Sequence, residues 1–404
     1  MDLTDFEWRL TRPARMKANE FEREGRLKHV IFAQQFTRQL LDKLCVMADM
    51  IRELSRSKQG SDDLRRLLSH KRAMLYFTQP STRTFLSFMA ACQILGITCN
   101  EVRDPSTSSE MKRESPLDSI RMFSSYFDVI IMRSKLPDFA ECCAYLMNEL
   151  ERQERRSVPI VNGGAGTDQH PTQALLDIYT IQRTFQFDHR EHAPRSRFHD
   201  LRRRYTDLSL GPDRKVYAFC GDLGRGRTVR SLVELLSLFE DVTLYFIAPE
   251  HETLKLDVDV RARLVKAGVD LHEFDSLDAT IDGVPILEKI DCLYMTRIQR
   301  EHNSAQQESE IAALDLSHFR LTTDRVARMK SYAPILHPFP RDSVVQEIPT
   351  EIDQDPRAMY FRQARNGMWA RAALLVHLFD VVDDLYLLYD RAFKEHGEPS
   401  PRGR

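Results

Sequence analysis

Four arginines, a histidine and a run of hydroxyls stand where apolar segments of this 404-residue chain end. Ser81-Thr82-Arg83-Thr84 follows the apolar run "AMLYF" (73–77) and opens an apolar-periodic segment. A helix N-terminus there would offer free N–H groups and partial positive charge, which suit an anion. Hydroxyls and a guanidinium added to it suit a phosphate. The plainer reading is Ser81 as an N-cap and Arg83 as a solvated side chain. Other apolar runs end in the same way. Arg133 closes "DVIIMRS", and "VPIVNGG" leads to His170 and Gln173 at a helix start. "KVYAFCGDL" runs into "GRGRTVRS" with Arg227, "DCLYMT" into Arg297-Ile298-Gln299, and "PILHPF" into Pro340-Arg341. Each alone has an ordinary explanation, since a lone histidine is usually a satisfied group and such arginines are usually solvated. "GDLGRGR" is a weak dinucleotide fingerprint that lacks the spaced third glycine and a clear acidic partner. No Walker-type loop points to a nucleoside triphosphate. Together the ends supply Arg83, Arg133, Arg227 and Arg297 with almost no carboxylate among them. That set suits substrates carrying several negative charges.

The elements that must position these residues alternate between strand-like and helix-like. That pattern predicts an α/β fold, with two doubly wound parallel-sheet domains joined by interdomain helices. Residues 36–57 read as one helix, 73–77 as a buried strand, and 84–95 as a helix closed by Gly96. Strands at 128–132 and 158–162 complete a first block. A second block holds strands at 216–220, 242–249, 291–295 and 334–336, with helices at 226–239 and 257–267. A last helix covers 367–391. In open α/β sheets ligands sit beyond the carboxyl ends of the strands, where these polar residues fall. Residues 1–27 read as a charged, exposed helical extension. Residues 186–214 read as a basic surface insert, partly helical around Leu201 to Tyr205. The expected domains are 28–171, completed by the last helix, and 172–366.

Composition narrows the classes. Apolar residues make up 42% and charged residues 29%, with a net charge of -2, so nothing global points to nucleic acid or a membrane. No apolar run approaches the ~20 residues of a membrane span, and the opening residues lack a signal peptide's apolar core. The seven cysteines are scattered without CxxC spacing, so we expect reduced, mostly buried thiols, a cytoplasmic protein and no structural zinc.

The motifs "STRT", "MRS", "DQHPTQALLD", "GDLGRGRTVRSL", "LYMTRIQREH", "LHPFPR" and "YFRQARNGMWARAALL" occur in an order and spacing that resemble a known family. It is the aspartate carbamoyltransferase catalytic chains of the aspartate/ornithine carbamoyltransferase superfamily. The resemblance runs from about Lys28 to Asp383. It implies that Ser81, Thr82, Arg83 and Thr84 hold the phosphate of carbamoyl phosphate with Arg133. Thr84, Arg133 and His170 would reach the carbamoyl oxygen. Gln173 and the carbonyls near Pro338 and Phe339 would hold the carbamoyl amine. Arg227 and Arg297 would bind the carboxylates of L-aspartate, helped by Gln299. A loop of a neighbouring subunit would contribute Ser108 and Lys112, which makes the expected assembly a homotrimer with shared active sites. Closure of the two domains would exclude water, and no metal or cofactor is needed. A regulatory chain or a dihydroorotase is a candidate partner for the basic insert.

The sequence departs from the family at Gln79, where a glutamate is common, at Phe85 in place of an arginine, and at Phe339 in place of a leucine. Arg365 stands where Ala-Gly-Asn-Gly is typical. Two other readings stay open at this point: a carbamoyltransferase for another acidic amino acid, and a non-catalytic scaffold paralogue.

Overall fold

The computed structural model describes residues 3–103, 114–165, 169–186, 197–299 and 305–394. The chain divides into two compact units, Met1–Leu176 with Arg365–Arg404, and Asp177–Ala364. In the first, strands β1 (Arg72–Phe77), β2 (Thr98–Val102), β3 (Val129–Arg133) and β4 (Ile160–Asn162) form one parallel sheet in the order β2-β1-β3-β4. Residues 73–77 and 129–133 are buried throughout, as expected of strands covered on both faces. Its helices are α1 (Arg38–Leu54), α2 (Lys58–Leu67), α3 (Thr82–Ile94), α4 (Pro116–Tyr126), α5 (Phe139–Glu154) and the start of α6 (Pro171–Gln186). The helix expected at 36–57 is α1, and α2 restarts just beyond it. Thr37 caps α1 through Leu40 N–H at 3.2 Å, and Ser57 caps a restart through Gly60 N–H at 2.9 Å.

The second unit carries β5 (Val216–Cys220), β6 (Thr243–Ile247), β7 (Asp270–Phe274), β8 (Cys292–Met295) and β9 (Ile335–Leu336). They form a parallel sheet in the order β9-β8-β5-β6-β7. Helices α7 (Arg197–Arg204), α8 (Arg227–Leu236), α9 (Val258–Lys266), α10 (Ala305–Ala312) and α11 (Thr323–Arg328) lie in the same unit. In both sheets the strand order reverses beside the first strand, between β1 and β3 and between β5 and β8. These are switch points, where an open sheet leaves a crevice at its carboxyl edge. Edge strands β2 and β7 escape the sequence reading because their residues are half exposed, without the buried run of the central strands.

The last helix expected is two, α12 (Tyr360–Leu378) and α13 (Val382–Lys394), broken where Asp380 takes a left-handed φ of 58°. The basic insert is anchored at its second half. Ser331 N–H donates to the Tyr205 hydroxyl at 3.0 Å, Leu208 is buried, and Lys215 Nζ donates to the carbonyls of Ser209 and Asp213, each at 3.0 Å. None of the described helices is long and apolar enough to cross a membrane.

Residues 3–27 are not an exposed helix. They form one-turn helices and a small hairpin, Glu22–Arg23 with Arg26–Leu27, and Phe6 and Phe21 are buried against Tyr145 of α5, with ring centroids 5.9 and 5.0 Å apart. Their irregular spacing hides an apolar face from any helical period. Lys17 is buried as well and pairs with Glu141 of α5 at 2.7 Å. Burial pushes the Glu141 carboxyl up to about 7, and Lys17 pulls against that rise. A carboxyl raised in the fold loses stability for the protein as pH climbs from its unfolded value through 7. Lys17→Met removes the counter-charge, so the loss with rising pH becomes larger. We expect this variant to be about 2 kcal/mol less stable than wild type at pH 8, and closer to it at pH 5. Urea unfolding at the two pH values checks this; an equal gap at both would refute it.

Candidate active site

In the first unit the residues gather at the β1–β3 switch point. The pairing sets Phe77 opposite Arg133, and Gln79 N–H donates to the Arg133 carbonyl at 3.1 Å. The chain then turns into α3. Ser81 occupies the N-cap position in extended backbone, but its side chain makes no capping hydrogen bond, contrary to the expectation from sequence. Thr82 and Arg83 lie exposed on the first turn, whereas Thr84 is buried. Its hydroxyl is 3.5 Å from His170 Nε2. Arg133, only 9% exposed, donates from Nη1 to the Gly163 carbonyl at 3.3 Å.

The turn after β4 brings these groups together. Gly164 has a φ of 90°, a region that favours glycine. A Cβ there would stand 2.5 Å from His170 Cδ2 and 2.9 Å from Arg133 Nη1. The turn is held by Asn162, whose Oδ1 accepts the N–H groups of Gly164 and Ala165, both at 2.8 Å. Sequence reasoning did not single out Asn162; an asparagine before two glycines at a strand end is the signal that marks it. Gln173 is buried one turn into α6, its N–H donating to the His170 carbonyl at 3.0 Å. Thr84, Arg133, His170 and Gln173 thus form a buried group rich in donors. Phe85 fits its place by packing edge-on against Phe77 at 5.4 Å and under the Arg103 guanidinium at 4.7 Å.

In the second unit, the segments after β5 and β8 meet around a carboxylate that the sequence reading passed over. Asp222 is fully buried. It accepts Gln299 N–H at 3.0 Å, Arg225 N–H at 3.1 Å and Arg225 Nε–H at 3.0 Å. Burial pushes its carboxyl up, and these donors pull it back. "GDLGRGR" therefore has an acidic member after all, which serves the loop's own geometry. Thr296 closes the same crossing, its N–H donating to the Cys220 carbonyl at 2.8 Å. Gly221, with a φ of 118°, admits the close approach, because a Cβ there would fall 2.2 Å from the Thr296 carbonyl oxygen. Arg227 begins α8, and Arg297 follows Thr296 with its Nη1 3.3 Å from the Ile298 carbonyl. Both arginines are half-buried.

Pro338 and Phe339 follow β9. Phe339 has a left-handed φ of 58°, which costs a bulky residue about 1–3 kcal/mol. Hydrogen bonds fix it there. Phe339 N–H donates to His337 Nδ1 at 2.8 Å, so His337 Nε2 carries the proton it donates to Glu347 at 2.9 Å. Gln363 Oε1 accepts His337 N–H at 2.8 Å. The carbonyls of Pro338 and Phe339 are set by this network. Ser108 and Lys112 lie outside the described residues.

Comparison with known proteins gives the arrangement its context. Residues 28–183 match the family model for the aspartate/ornithine carbamoyltransferase carbamoyl-P binding domain, and 213–378 that for the Asp/Orn binding domain. The chain belongs to the aspartate/ornithine carbamoyltransferase family. Both the N-terminal turns and most of the basic insert fall outside the matched carbamoyltransferase segments. The chain is 36% identical over 352 residues to the chloroplastic aspartate carbamoyltransferase of Arabidopsis thaliana, covering 86% of this chain and 77% of that one. It is 35% identical to the aspartate carbamoyltransferase catalytic subunit of Chromobacterium violaceum, covering 86% and 96%. Among solved structures, the catalytic subunit of M. jannaschii aspartate transcarbamoylase is similar, with a TM-score of 0.68, 32% identity, and 88% and 98% of the two chains covered. So is the Trypanosoma cruzi enzyme in complex with carbamoyl phosphate and aspartate, with a TM-score of 0.70, 30% identity, and 87% and 96% covered.

Proposed function

We propose that this chain transfers the carbamoyl group of carbamoyl phosphate to the amine of L-aspartate, giving N-carbamoyl-L-aspartate and phosphate. The observation that carries this reading is the pair of arginines, Arg227 and Arg297, on segments tied together by Asp222. Two guanidiniums suit a dicarboxylate and repel a cationic acceptor such as ornithine. The Trypanosoma cruzi relative binds the same two substrates.

In this reading Ser81, Thr82, Arg83 and Thr84 hold the phosphate with Arg133. Thr84, Arg133 and His170 donate to the carbamoyl oxygen, and Gln173 and the Pro338 and Phe339 carbonyls hold the carbamoyl amine. The aspartate amine attacks the carbamoyl carbon. The new C–N bond forms, charge builds on the carbonyl oxygen, and the C–O bond to phosphate breaks. The departing phosphate takes the amine proton. Fixed donors aimed at the oxygen lower the barrier, because they need no reorganisation as charge develops. Gln299 assists Arg227 and Arg297 at the aspartate. We further propose a cytoplasmic homotrimer in which Ser108 and Lys112 of one subunit complete a neighbour's site. A regulatory chain or a dihydroorotase is the partner to seek.

The test is a carbamoylation assay on the purified chain with carbamoyl phosphate and either aspartate or ornithine. Product is expected with aspartate alone. Arg297→Ala is expected to raise the aspartate KM at least about tenfold, as loss of a charge-assisted pair does. No product from a folded protein with either acceptor would refute the reading.

A further inference from the structure

Two of the motifs carry polar residues that the reaction above does not use. Asp177 closes "DQHPTQALLD", and Gln363 lies in "YFRQARNGMWARAALL". They stand 186 residues apart and meet in the fold. Asp177, on α6, has no exposed surface, and Gln363, on α12, is 1% exposed. Gln363 Nε2 donates to Asp177 Oδ1 at 2.6 Å. Asp177 Oδ2 accepts the hydroxyl of Tyr294, a buried residue of β8, at 2.9 Å. Burial pushes that hydroxyl well up and the Asp177 charge adds to the rise, so Tyr294 keeps the proton it donates. All three residues belong to the Asp177–Ala364 unit.

The other end of the Gln363 amide leads to the turn after β9. Gln363 Oε1 accepts His337 N–H at 2.8 Å, and His337 Nδ1 accepts Phe339 N–H at 2.8 Å. The amide has one possible orientation, because a carboxylate only accepts and a backbone N–H only donates. The chain entering α12 is held beside β9. Ile335 N–H donates to the Arg357 carbonyl at 2.8 Å, and Met359 N–H to the Ile335 carbonyl at 2.9 Å. A carboxylate is costly to bury, and packed apolar residues serve stability as well in such a place. The charge is therefore explained by the geometry it imposes.

We infer that Asp177 and Gln363 are positioning residues that make the site select a carbamoyl over an acetyl group. The inference rests on the reading above, in which the Pro338 and Phe339 carbonyls hold the carbamoyl amine. Those carbonyls accept N–H groups from a carbamoyl –NH2. An acetyl –CH3, nearly the same size, offers none. A site built to pair an N–H rejects the analogue without it, because its own polar atoms are then left unpaired. Rejection needs carbonyls that do not turn away to other partners. Phe339 sits at a left-handed φ of 58°, a strained place that persists only where its surroundings hold it. Asp177 fixes Gln363, Gln363 fixes His337, and His337 fixes Phe339.

Acetyl phosphate is the probe. On the purified full chain, kcat/KM for carbamoyl phosphate is measured at saturating aspartate, beside the inhibition constant of acetyl phosphate against it. Gln363→Met keeps the side chain's length and removes both hydrogen bonds. It should lower kcat/KM for carbamoyl phosphate at least about 30-fold and leave the acetyl phosphate constant within about threefold. Asp177→Leu should act in the same direction. Asp177→Asn keeps an oxygen for the Gln363 amide and should recover to within about fivefold of wild type. Melting temperatures confirm that each variant folds, and Gln363→Met decides if Asp177→Leu does not. Equal losses for both phosphates in Gln363→Met would show a merely structural role and overturn the inference. An unchanged kcat/KM, or Asp177→Asn as poor as Asp177→Leu, would do the same. An inactive wild-type chain would instead overturn the carbamoyl reading, and the inference with it.

Discussion

Arg133→Ala is expected to lower kcat about 100- to 1,000-fold, the loss seen when one donor to a developing oxyanion is removed. The site gives the reason. Arg133 is almost buried, ends β3 at the switch point, and is aimed by the Gly163 carbonyl. Alanine at 133 keeps the strand and removes the guanidinium, so the effect should fall on chemistry and on carbamoyl phosphate. Aspartate binding should stay near wild type, because Arg227 and Arg297 belong to the other unit. Steady-state kinetics with each substrate varied in turn, beside isothermal titration of an aspartate analogue, make the check. Loss of analogue binding with an intact kcat would contradict the assignment.

Gly164→Ala is expected to cost about 100-fold in kcat, the scale of an ångström-sized misplacement of reacting groups. No catalytic atom is removed by this change. The added methyl would stand 2.5 Å from His170 and 2.9 Å from Arg133, and the backbone φ of 90° strains any L side chain. Both donors would have to shift, while the Asn162 hydrogen bonds hold the turn in place. We expect a lowered melting temperature of a few degrees together with the kinetic loss. Ala165→Gly, one residue on, relaxes the chain without a clash and serves as control. A Gly164→Ala enzyme with wild-type kcat would show that the turn yields freely and that the donors need no such positioning.

Much of the candidate site was legible because its residues lie at the carboxyl ends of strands. Central parallel strands are buried on both faces, so "AMLYF" and "VIIM" stand out as unbroken apolar runs, and the polar residues that end them stand out in turn. Arg83, Thr84, Arg133 and His170 could be named on that ground. Asp222 could not be given its role, because a carboxylate near arginines looks the same in sequence whether it faces substrate or braces a loop. Only the contact between the segments after β5 and β8 shows that it braces Gln299 and Arg225.

The sequence by itself determined the alternation of strand and helix, the order of the motifs and the excess of arginine at strand ends. These are local properties, carried by side-chain pattern within a few residues. Tertiary structure decided the rest. It set the order of strands in each sheet, and hence the two switch points. It also broke the helix expected at 367–391, and it buried Phe6, Phe21 and Lys17 against α5. The physical reason is the same in each case. Burial and pairing across long stretches of chain are energies of contact between distant residues, and no window of sequence contains both partners.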